Sequence, residues 1–139
     1  MAFAWPVRVY WEDTDAGGIV FYANYLKFFE RARTEWLRSL GHSQQALKTS
    51  AGGMFVVTDA QLRYLQPARL DDELLVTAKV SQHSRASITI AQQALLPGGP
   101  HADDPPVLLC EGSIRVGWVD VNSLRPCRIP SSLLEQLSS

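Results

Sequence analysis

The chain has 139 residues, of which 46% are apolar and 19% charged, and its formal net charge is −1. This length and balance predict one globular domain, residues 1–139, whose core needs no disulfide to hold it together. The near-neutral charge argues against a basic nucleic-acid-binding face, and the uncharged apolar runs are too short to cross a bilayer as an integral membrane segment.

The N-terminus has no basic stretch followed by an apolar run, so we expect no secretory signal and a cytoplasmic protein. The two cysteines, Cys110 and Cys127, do not form a C-x-x-C pair, and we expect two free thiols. The histidines His42, His83 and His101 lack the spacing that metal ligands need, so no metal site is predicted.

The first predicted strand covers residues 7–11, in which apolar Val7, Val9 and Trp11 alternate with other residues. A polar turn that contains two glycines follows at residues 12–21. The chain is therefore expected to begin with a short, half-buried strand that leads into a tight turn.

A long helix is predicted from about Tyr22 to Leu40, with Gly41 as its C-terminal stop. Its apolar residues recur every three or four positions, which is the spacing of one helix face. The predicted stripe consists of Tyr22, Tyr25, Leu26, Phe29, Ala32, Trp36 and Leu40. Phe28 lies off this stripe and is a candidate for a substrate pocket or a subunit contact.

After a polar linker at residues 42–53, the apolar pattern changes to period two. Strands are predicted at residues 54–65, 74–81, 86–96 and 107–118. The proline- and glycine-rich residues 97–106 are predicted to form an exposed loop, and one helical turn is predicted at 131–137. Because no helix separates the last four strands, we expect them to join as antiparallel neighbours. The predicted class is α+β, with one sheet covering one helix and edges that favour association of copies.

Three acidic residues, Glu12, Asp13 and Asp15, precede the glycine pair Gly17 and Gly18. A calcium loop starting at Asp13 would need an acidic or amide residue where Gly17 stands, which excludes that class. A phosphate-binding glycine loop is excluded because no lysine follows the glycines. A phosphoaspartyl-transfer site remains a distant alternative, since it usually lies on a parallel sheet with alternating helices.

Two interpretations of Asp15 remain open from the residues. Asp15 either caps the N-terminus of the helix, although it lies far before Tyr22, or serves as a catalytic carboxylate. In the catalytic interpretation, unpaired backbone N–H groups at the helix start stabilise an oxyanion during acyl transfer to water. Gly17 and Gly18 would allow the tight turn that this requires. A thioester suits such a site because its thiolate leaves without a strong general acid.

The segment VRVYWEDTDAGGIVFYANYLKFFERARTEWLRSLG resembles the signature of the YbgC-like, Tol–Pal-associated acyl-CoA thioesterases, and 4-hydroxybenzoyl-CoA thioesterases share its shorter core. The similarity continues through FVVTDAQLRYLQPARLDDELLV and VDVNSLRPCRIP, so it covers nearly the whole chain. The resemblance implies a hotdog fold, in which a five-stranded antiparallel sheet wraps around one long central helix. It also implies a homo-oligomer, a dimer or a homotetramer, with active sites at subunit interfaces.

The same resemblance implies roles for individual residues. Asp15 matches the catalytic aspartate, acting as nucleophile or general base, and the backbone N–H of Tyr22 matches the oxyanion donor. Position 22 is often histidine in the YbgC branch, so a histidine-assisted step is not expected here. Arg85 matches a region where relatives bind the phosphates of coenzyme A. No metal or organic cofactor is expected.

The expected function is therefore hydrolysis of acyl-CoA, with acyl carrier protein as a possible second carrier. The alternative is a module of envelope or phospholipid metabolism that binds acyl-CoA or acyl carrier protein with little turnover. A dehydratase of the same fold would need a histidine at the helix start, where this sequence has none.

Overall fold

The computed structural model describes residues 2–98 and 104–139, and within them five strands form one antiparallel sheet. The strands are β1 (Phe3–Arg8), β2 (Gly53–Tyr64), β3 (Glu73–His83), β4 (Ser87–Leu96) and β5 (Val107–Asp120). Their order in the sheet is β1-β3-β4-β5-β2, so β1 and β2 are its two edges. A long helix packs against one face of this sheet, which confirms the predicted α+β class.

The long helix α1 spans Tyr25–Ser39 and follows one 3-10 turn at Tyr22–Asn24. Gly41 has a φ of +89°, in the left-handed region that glycine adopts without strain. His42 donates its N–H to the carbonyl of Leu37 (2.9 Å), as expected just beyond such a glycine stop. The predicted end of the helix is thus confirmed, while its first turn is 3-10 rather than α.

The buried face of α1 differs from the predicted stripe. Tyr22 and Leu26 are exposed, whereas Phe28 and Leu37 are buried. The buried residues of α1 are Tyr25, Phe28, Phe29, Ala32, Trp36 and Leu37. The prediction that Phe28 lies off the buried face is wrong, because its ring is fully buried and contacts the ring of Tyr25 edge-on at 5.8 Å between centroids. Because the sheet wraps around the helix, it covers a wider part of the helix surface than a single apolar stripe.

A second helix, α2 (Gln44–Ala51), lies where the sequence predicted an irregular linker. The hydroxyl of Ser43 accepts the N–H of Ala46 (3.0 Å) and caps its N-terminus, and Gly52 ends it with a φ of +67°. Leu47 is its buried contact. A serine before and a glycine after a run of helix-forming residues were signals from which this helix could have been predicted.

The C-terminal helix α3 (Ser131–Ser138) confirms the predicted helical turn and extends it to eight residues. The first strand is shifted from its predicted position, since β1 ends at Arg8 and Trp11 lies in a 3-10 turn and is 81% exposed. Val9 nevertheless stays buried and donates its N–H to the carbonyl of Asp72 (2.8 Å).

Strands β3, β4 and β5 are consecutive neighbours, as predicted, but β2 pairs with β5 rather than with β3. The segment that follows β2, residues 65–72, crosses the end of the sheet before β3 begins. Within it, Leu65 donates its N–H to Leu109 (2.8 Å) and Ala68 accepts the N–H of Val20 (2.9 Å). This crossing places the segment against the glycine-containing turn.

Gln92 is an amide in the core between the sheet and α1, with 1% of its surface exposed. Its Nε2 donates to the carbonyls of Phe29 and Thr77, both at 3.1 Å, and its Oε1 accepts from Nη1 of Arg33 at 2.9 Å. The N–H of Gln93 donates to the hydroxyl of Thr77 (3.0 Å). Side chains thus join β3 and β4 at this point, and every hydrogen-bonding atom of the amide has a partner.

Residues 99–103, which include His101 and the centre of the predicted loop at 97–106, lie outside the described residues. In the described part of the chain, no helix has the length and apolar character needed to span a membrane. Cys110 and Cys127 are both free, as predicted.

Candidate active site

Asp15 begins a tight turn between the first strand and α1. Its Oδ1 accepts the N–H of Gly17 (2.8 Å), and its carbonyl accepts the N–H of Gly18 (3.0 Å). Its own N–H donates to the carbonyl of Ile19 (2.9 Å). Gly18 has a φ of +76°, which a residue with a Cβ rarely adopts. The turn therefore depends on its glycine and holds the Asp15 side chain at the surface.

These contacts exclude the interpretation of Asp15 as a helix cap. α1 begins at Tyr25 with Asn24 at its N-cap position, and the Asp15 carboxylate instead accepts a hydrogen bond inside its own turn. The catalytic interpretation of Asp15 stays a prediction.

Asp13 is the buried acid of this segment, with 3% of its surface exposed. One carboxylate oxygen accepts the N–H of Tyr10 (2.8 Å), and the other accepts Nδ2 of Asn24 (2.7 Å). Its carbonyl also accepts the N–H of Phe21 (2.9 Å). Sequence reasoning noted this acid but missed its role, because the spacing of three acids does not reveal which one is buried.

Tyr22 is the first residue of the 3-10 turn that leads into α1. Among residues 2–98 and 104–139, its N–H has no hydrogen-bond acceptor, as expected for the first donor of a helix. Its carbonyl accepts the hydroxyl of Tyr64 (2.9 Å), and the two rings meet edge-on at 6.2 Å. Burial raises the pKa of the Tyr64 phenol above its ordinary value, so the hydroxyl stays a donor.

Large apolar side chains surround this helix start at the surface. We name this group the aromatic patch, and it comprises Phe21, Tyr22, Leu26, Tyr64 and Leu65, each more than 40% exposed. Exposed apolar groups that cluster in this way mark contact sites for a protein or a ligand. The patch lies beside the end of β2, which is an edge strand.

Arg85 lies in the turn between β3 and β4, with its side chain exposed. Asp15 lies near the other end of β3, since Ile19 of its turn pairs with Arg69 just before that strand. The 11 residues of β3, at about 3.3 Å per residue, separate the two ends by roughly 30 Å. Within one chain, the structure therefore does not bring Arg85 to Asp15.

A groove of about 540 Å³ lies on the outer face of the sheet, away from α1. Its lining includes Arg63, Lys79, Gln93 and Glu111, but neither Asp15 nor Tyr22. In a single chain, Asp15 is therefore exposed to solvent and does not line this groove.

Residues 9–137 match the family model described as the thioesterase-like superfamily. The chain belongs to this superfamily. It is 40% identical over 131 residues to the acyl-CoA thioesterase YbgC of Haemophilus influenzae, a match that covers 94% of this chain and 90% of that protein. It is 40% identical over 134 residues to the acyl-CoA thioester hydrolase YbgC of Escherichia coli, covering 96% of this chain and 94% of that protein.

Among solved structures of the superfamily, a probable thioesterase from Bartonella henselae superposes with a TM-score of 0.83 at 28% identity, covering 94% of this chain and 100% of that chain. These similarities confirm the resemblance to YbgC-like thioesterases and the hotdog fold. They do not address the roles of single residues, so those of Asp15, Tyr22, Gly17, Gly18, Phe28 and Arg85 remain predictions.

Proposed function

We propose that the protein is an acyl-CoA thioesterase, which hydrolyses the thioester to a free acid and coenzyme A. The two YbgC relatives, whose names carry this activity, support the proposal. The observation that carries it is local: an exposed carboxylate, Asp15, precedes by one short turn a helix start whose first N–H, that of Tyr22, is unpaired among the described residues.

In the proposed reaction, the Asp15 carboxylate attacks the thioester carbonyl carbon or removes a proton from the attacking water. The N–H of Tyr22 donates a hydrogen bond to the carbonyl oxygen as negative charge develops on it. The partial positive charge at the helix start adds to this stabilisation. The turn formed by Gly17 and Gly18 leaves space for the substrate beside Asp15, and the thiolate of coenzyme A departs without a general acid. No metal or organic cofactor takes part.

We further propose that the single domain, residues 1–139, works in the cytoplasm as a homo-oligomer. β2 has 12 residues, lies at the sheet edge and exposes Val57 and Tyr64, so a second copy can extend the sheet by pairing with it. A twofold axis makes such a contact self-complementary, with the two β2 strands antiparallel. Two of these dimers would form the expected homotetramer.

Antiparallel pairing of β2 gives a position for Arg85. It places the Tyr64 end of one β2 beside the Gly53 end of the other. The turn with Arg85 lies toward the Gly53 end, because Ala86 accepts the N–H of Trp118 (2.7 Å) and Trp118 pairs with Phe55. We therefore propose that Arg85 of the partner subunit binds the phosphates of the coenzyme A whose thioester lies at Asp15.

The test is release of free thiol from a panel of acyl-CoA substrates of different chain lengths, with an aromatic acyl-CoA and an acylated carrier protein included. The wild type should turn over at least one substrate. Asp15→Asn should lower kcat by 100-fold or more while the melting temperature and the oligomer stay unchanged. Glu12→Gln, a change in an exposed neighbouring acid, serves as the control and should keep wild-type turnover.

Two results would contradict the proposal. Near-wild-type turnover by Asp15→Asn would exclude Asp15 as the reacting group. Saturable binding of acyl-CoA by the wild type without turnover across the whole panel would favour the alternative, an acyl-CoA or acyl-carrier-protein binding module.

A further inference from the structure

We propose that Asp13 and Asn24 form a buried clasp that positions Asp15 and Tyr22 relative to each other. The clasp is defined by the Asp13 carboxylate, the N–H of Tyr10 and the side-chain amide of Asn24. The inference rests on the proposed function, because it assigns to Asp15 and Tyr22 the roles of base or nucleophile and oxyanion donor.

The clasp is buried and its hydrogen bonds are short. Asp13 is 3% exposed and Asn24 is 7% exposed. The bond from Nδ2 of Asn24 to the Asp13 carboxylate is 2.7 Å long, and the bond from the N–H of Tyr10 is 2.8 Å long. Hydrogen bonds to an ionised acceptor are about twice as strong as neutral ones, so the segment is held firmly at this point.

The position of the clasp in the chain connects it to the site. Asp13 lies two residues before Asp15, and Asn24 lies two residues after Tyr22. The bond between Asp13 and Asn24 spans 11 residues and closes a ring that contains both site residues. Loss of this bond would therefore allow the two ends of the ring, and with them Asp15 and Tyr22, to move relative to each other.

Backbone hydrogen bonds support the rest of the ring. The N–H of Phe21 donates to the carbonyl of Asp13 (2.9 Å), and Thr14 pairs with Val20 in an isolated antiparallel bridge. The N–H of Asn24 in turn donates to the carbonyl of Phe21 (2.8 Å), so these backbone bonds hold the two sides of the turn together and also connect it to the helix start. Among the described contacts, the clasp supplies the side-chain link between the turn and the helix start.

The buried clasp side chains are separated from solvent, so they are positioning residues rather than groups that touch the substrate. The helix itself is held in the core by Tyr25, Phe29 and Ala32, which do not depend on the clasp. Loss of the clasp should therefore leave α1 packed while the turn and the helix start shift by a fraction of an ångström. Displacements of about 1 Å at a reacting group can lower the rate about 100-fold.

The test exchanges the two side chains of the clasp, so that an asparagine stands at position 13 and an aspartate at position 24. Asn24→Asp replaces the amide donor with a second carboxyl group, so the two acids either repel each other or share a proton, and in both cases the amide–carboxylate bond of the clasp is lost. Adding Asp13→Asn restores it with the polarity reversed, because Asn at 13 can accept from Tyr10 through Oδ1 and donate to Asp at 24 through Nδ2. Both side chains keep their size, so packing is nearly the same in all four proteins of the cycle.

We expect Asn24→Asp to lower kcat by 10-fold to 100-fold with KM changed by less than threefold, and the double variant to recover kcat to within about fivefold of the wild type. Melting temperatures show whether each variant folds. Glu12→Gln, a substitution next to Asp13 but outside the clasp, is the control and should keep wild-type kcat. If Asn24→Asp does not fold, Asn24→Ala takes its place, because it removes the donor without adding a charge. Asn24→Gln, which keeps a side-chain amide, then takes the place of the double variant.

NMR gives a second readout that does not need turnover, namely the amide shifts of Asp15 and Tyr22. These shifts should move in Asn24→Asp and return in the double variant. Wild-type kcat together with unmoved shifts in the single variants would overturn the clasp. So would a double variant that recovers its melting temperature but not the kcat or the shifts. If the wild type hydrolyses no thioester, the proposed function fails, and the amide shifts still decide whether the clasp positions these residues.

Discussion

The hydroxyl of Tyr64, at the end of an edge strand, donates a hydrogen bond to the carbonyl of Tyr22 at 2.9 Å. Tyr22 is the first residue of the helix start, so this bond joins β2 to the proposed oxyanion donor. The two rings also meet edge-on at 6.2 Å. Any second copy that extends the sheet along β2 would approach this bond directly.

Tyr64→Phe should therefore weaken catalysis without unfolding the protein. The variant loses one hydrogen bond worth roughly 1 kcal/mol, and because Tyr64 is partly exposed the loss of stability should be smaller than that. We expect kcat to fall about threefold to tenfold. Thiol-release kinetics and thermal melts measure the two effects. Tyr64→Leu, which removes the ring as well, should be worse in both, and equal kcat for Tyr64→Phe and wild type would contradict the role of the hydroxyl.

The edge of β2 should carry the dimer contact. Val57→Lys places a charge on an exposed residue of this strand, and charges on edge strands prevent pairing with other strands. Light scattering should show a shift toward monomer, and turnover per chain should fall because the Arg85 side of the site is lost. Ala4→Lys, on the opposite edge strand β1, is the matched control and should leave the oligomer intact. The same oligomeric mass for both variants would exclude the β2 interface.

A site shared between subunits predicts complementation between two defective chains. Asp15→Asn and Arg85→Ala should each be impaired alone, the first in kcat and the second chiefly in KM for acyl-CoA. When the two chains are unfolded, mixed equally and refolded, half of the dimers contain one of each. In every mixed dimer one site carries both changes and the other carries neither. About a quarter of all sites should therefore regain wild-type kinetics, whereas simple averaging of the two activities would contradict the proposal that Arg85 of one subunit serves the Asp15 of the other.

Cys110 should be unreactive in the folded protein. Burial, and secondarily the nearby Glu111 carboxylate, raises the pKa of its thiol from the ordinary 9.0 to about 12. Because the folded state keeps this proton longer than the unfolded state, its contribution to stability is complete below pH 9 and is lost as pH rises toward about 12. Iodoacetamide at pH 8 should label the partly exposed Cys127 first. Equal labelling rates for both cysteines without denaturant would contradict this.

Much of the fold was predictable because the spacing of apolar residues and the glycines that end helices are local features of the sequence. The alternation of apolar residues located four strands, and Gly41 marked the end of α1. The exposure of Trp11 and the burial of Phe28 could not be predicted in this way. Both depend on where the sheet begins and how far it wraps around the helix, and these are properties of the folded chain rather than of a window of sequence.

The candidate site likewise has features that local sequence predicts and features that depend on the topology of the folded chain. The turn at Asp15 and the helix start at Tyr22 were predictable, since acids, glycines and a helical pattern follow one another directly. That Asp13 is buried, and that Arg85 lies at the far end of the sheet, follows from topology. Placing β2 beside β5 fixes which loops share an end of the sheet, and no local pattern in the sequence specifies that placement.

Gln92 makes shifted registers between β3 and β4 less stable than the native register. If β4 slipped by one residue, the amide would leave the core and an apolar side chain would face solvent. If it slipped by two, the amide would stay inside but lose the partners it has in Thr77, Phe29 and Arg33. A buried amide without partners is costly, so each wrong alignment is penalised. A residue that adds little apolar contact thus favours assembly of the hairpin in a single alignment.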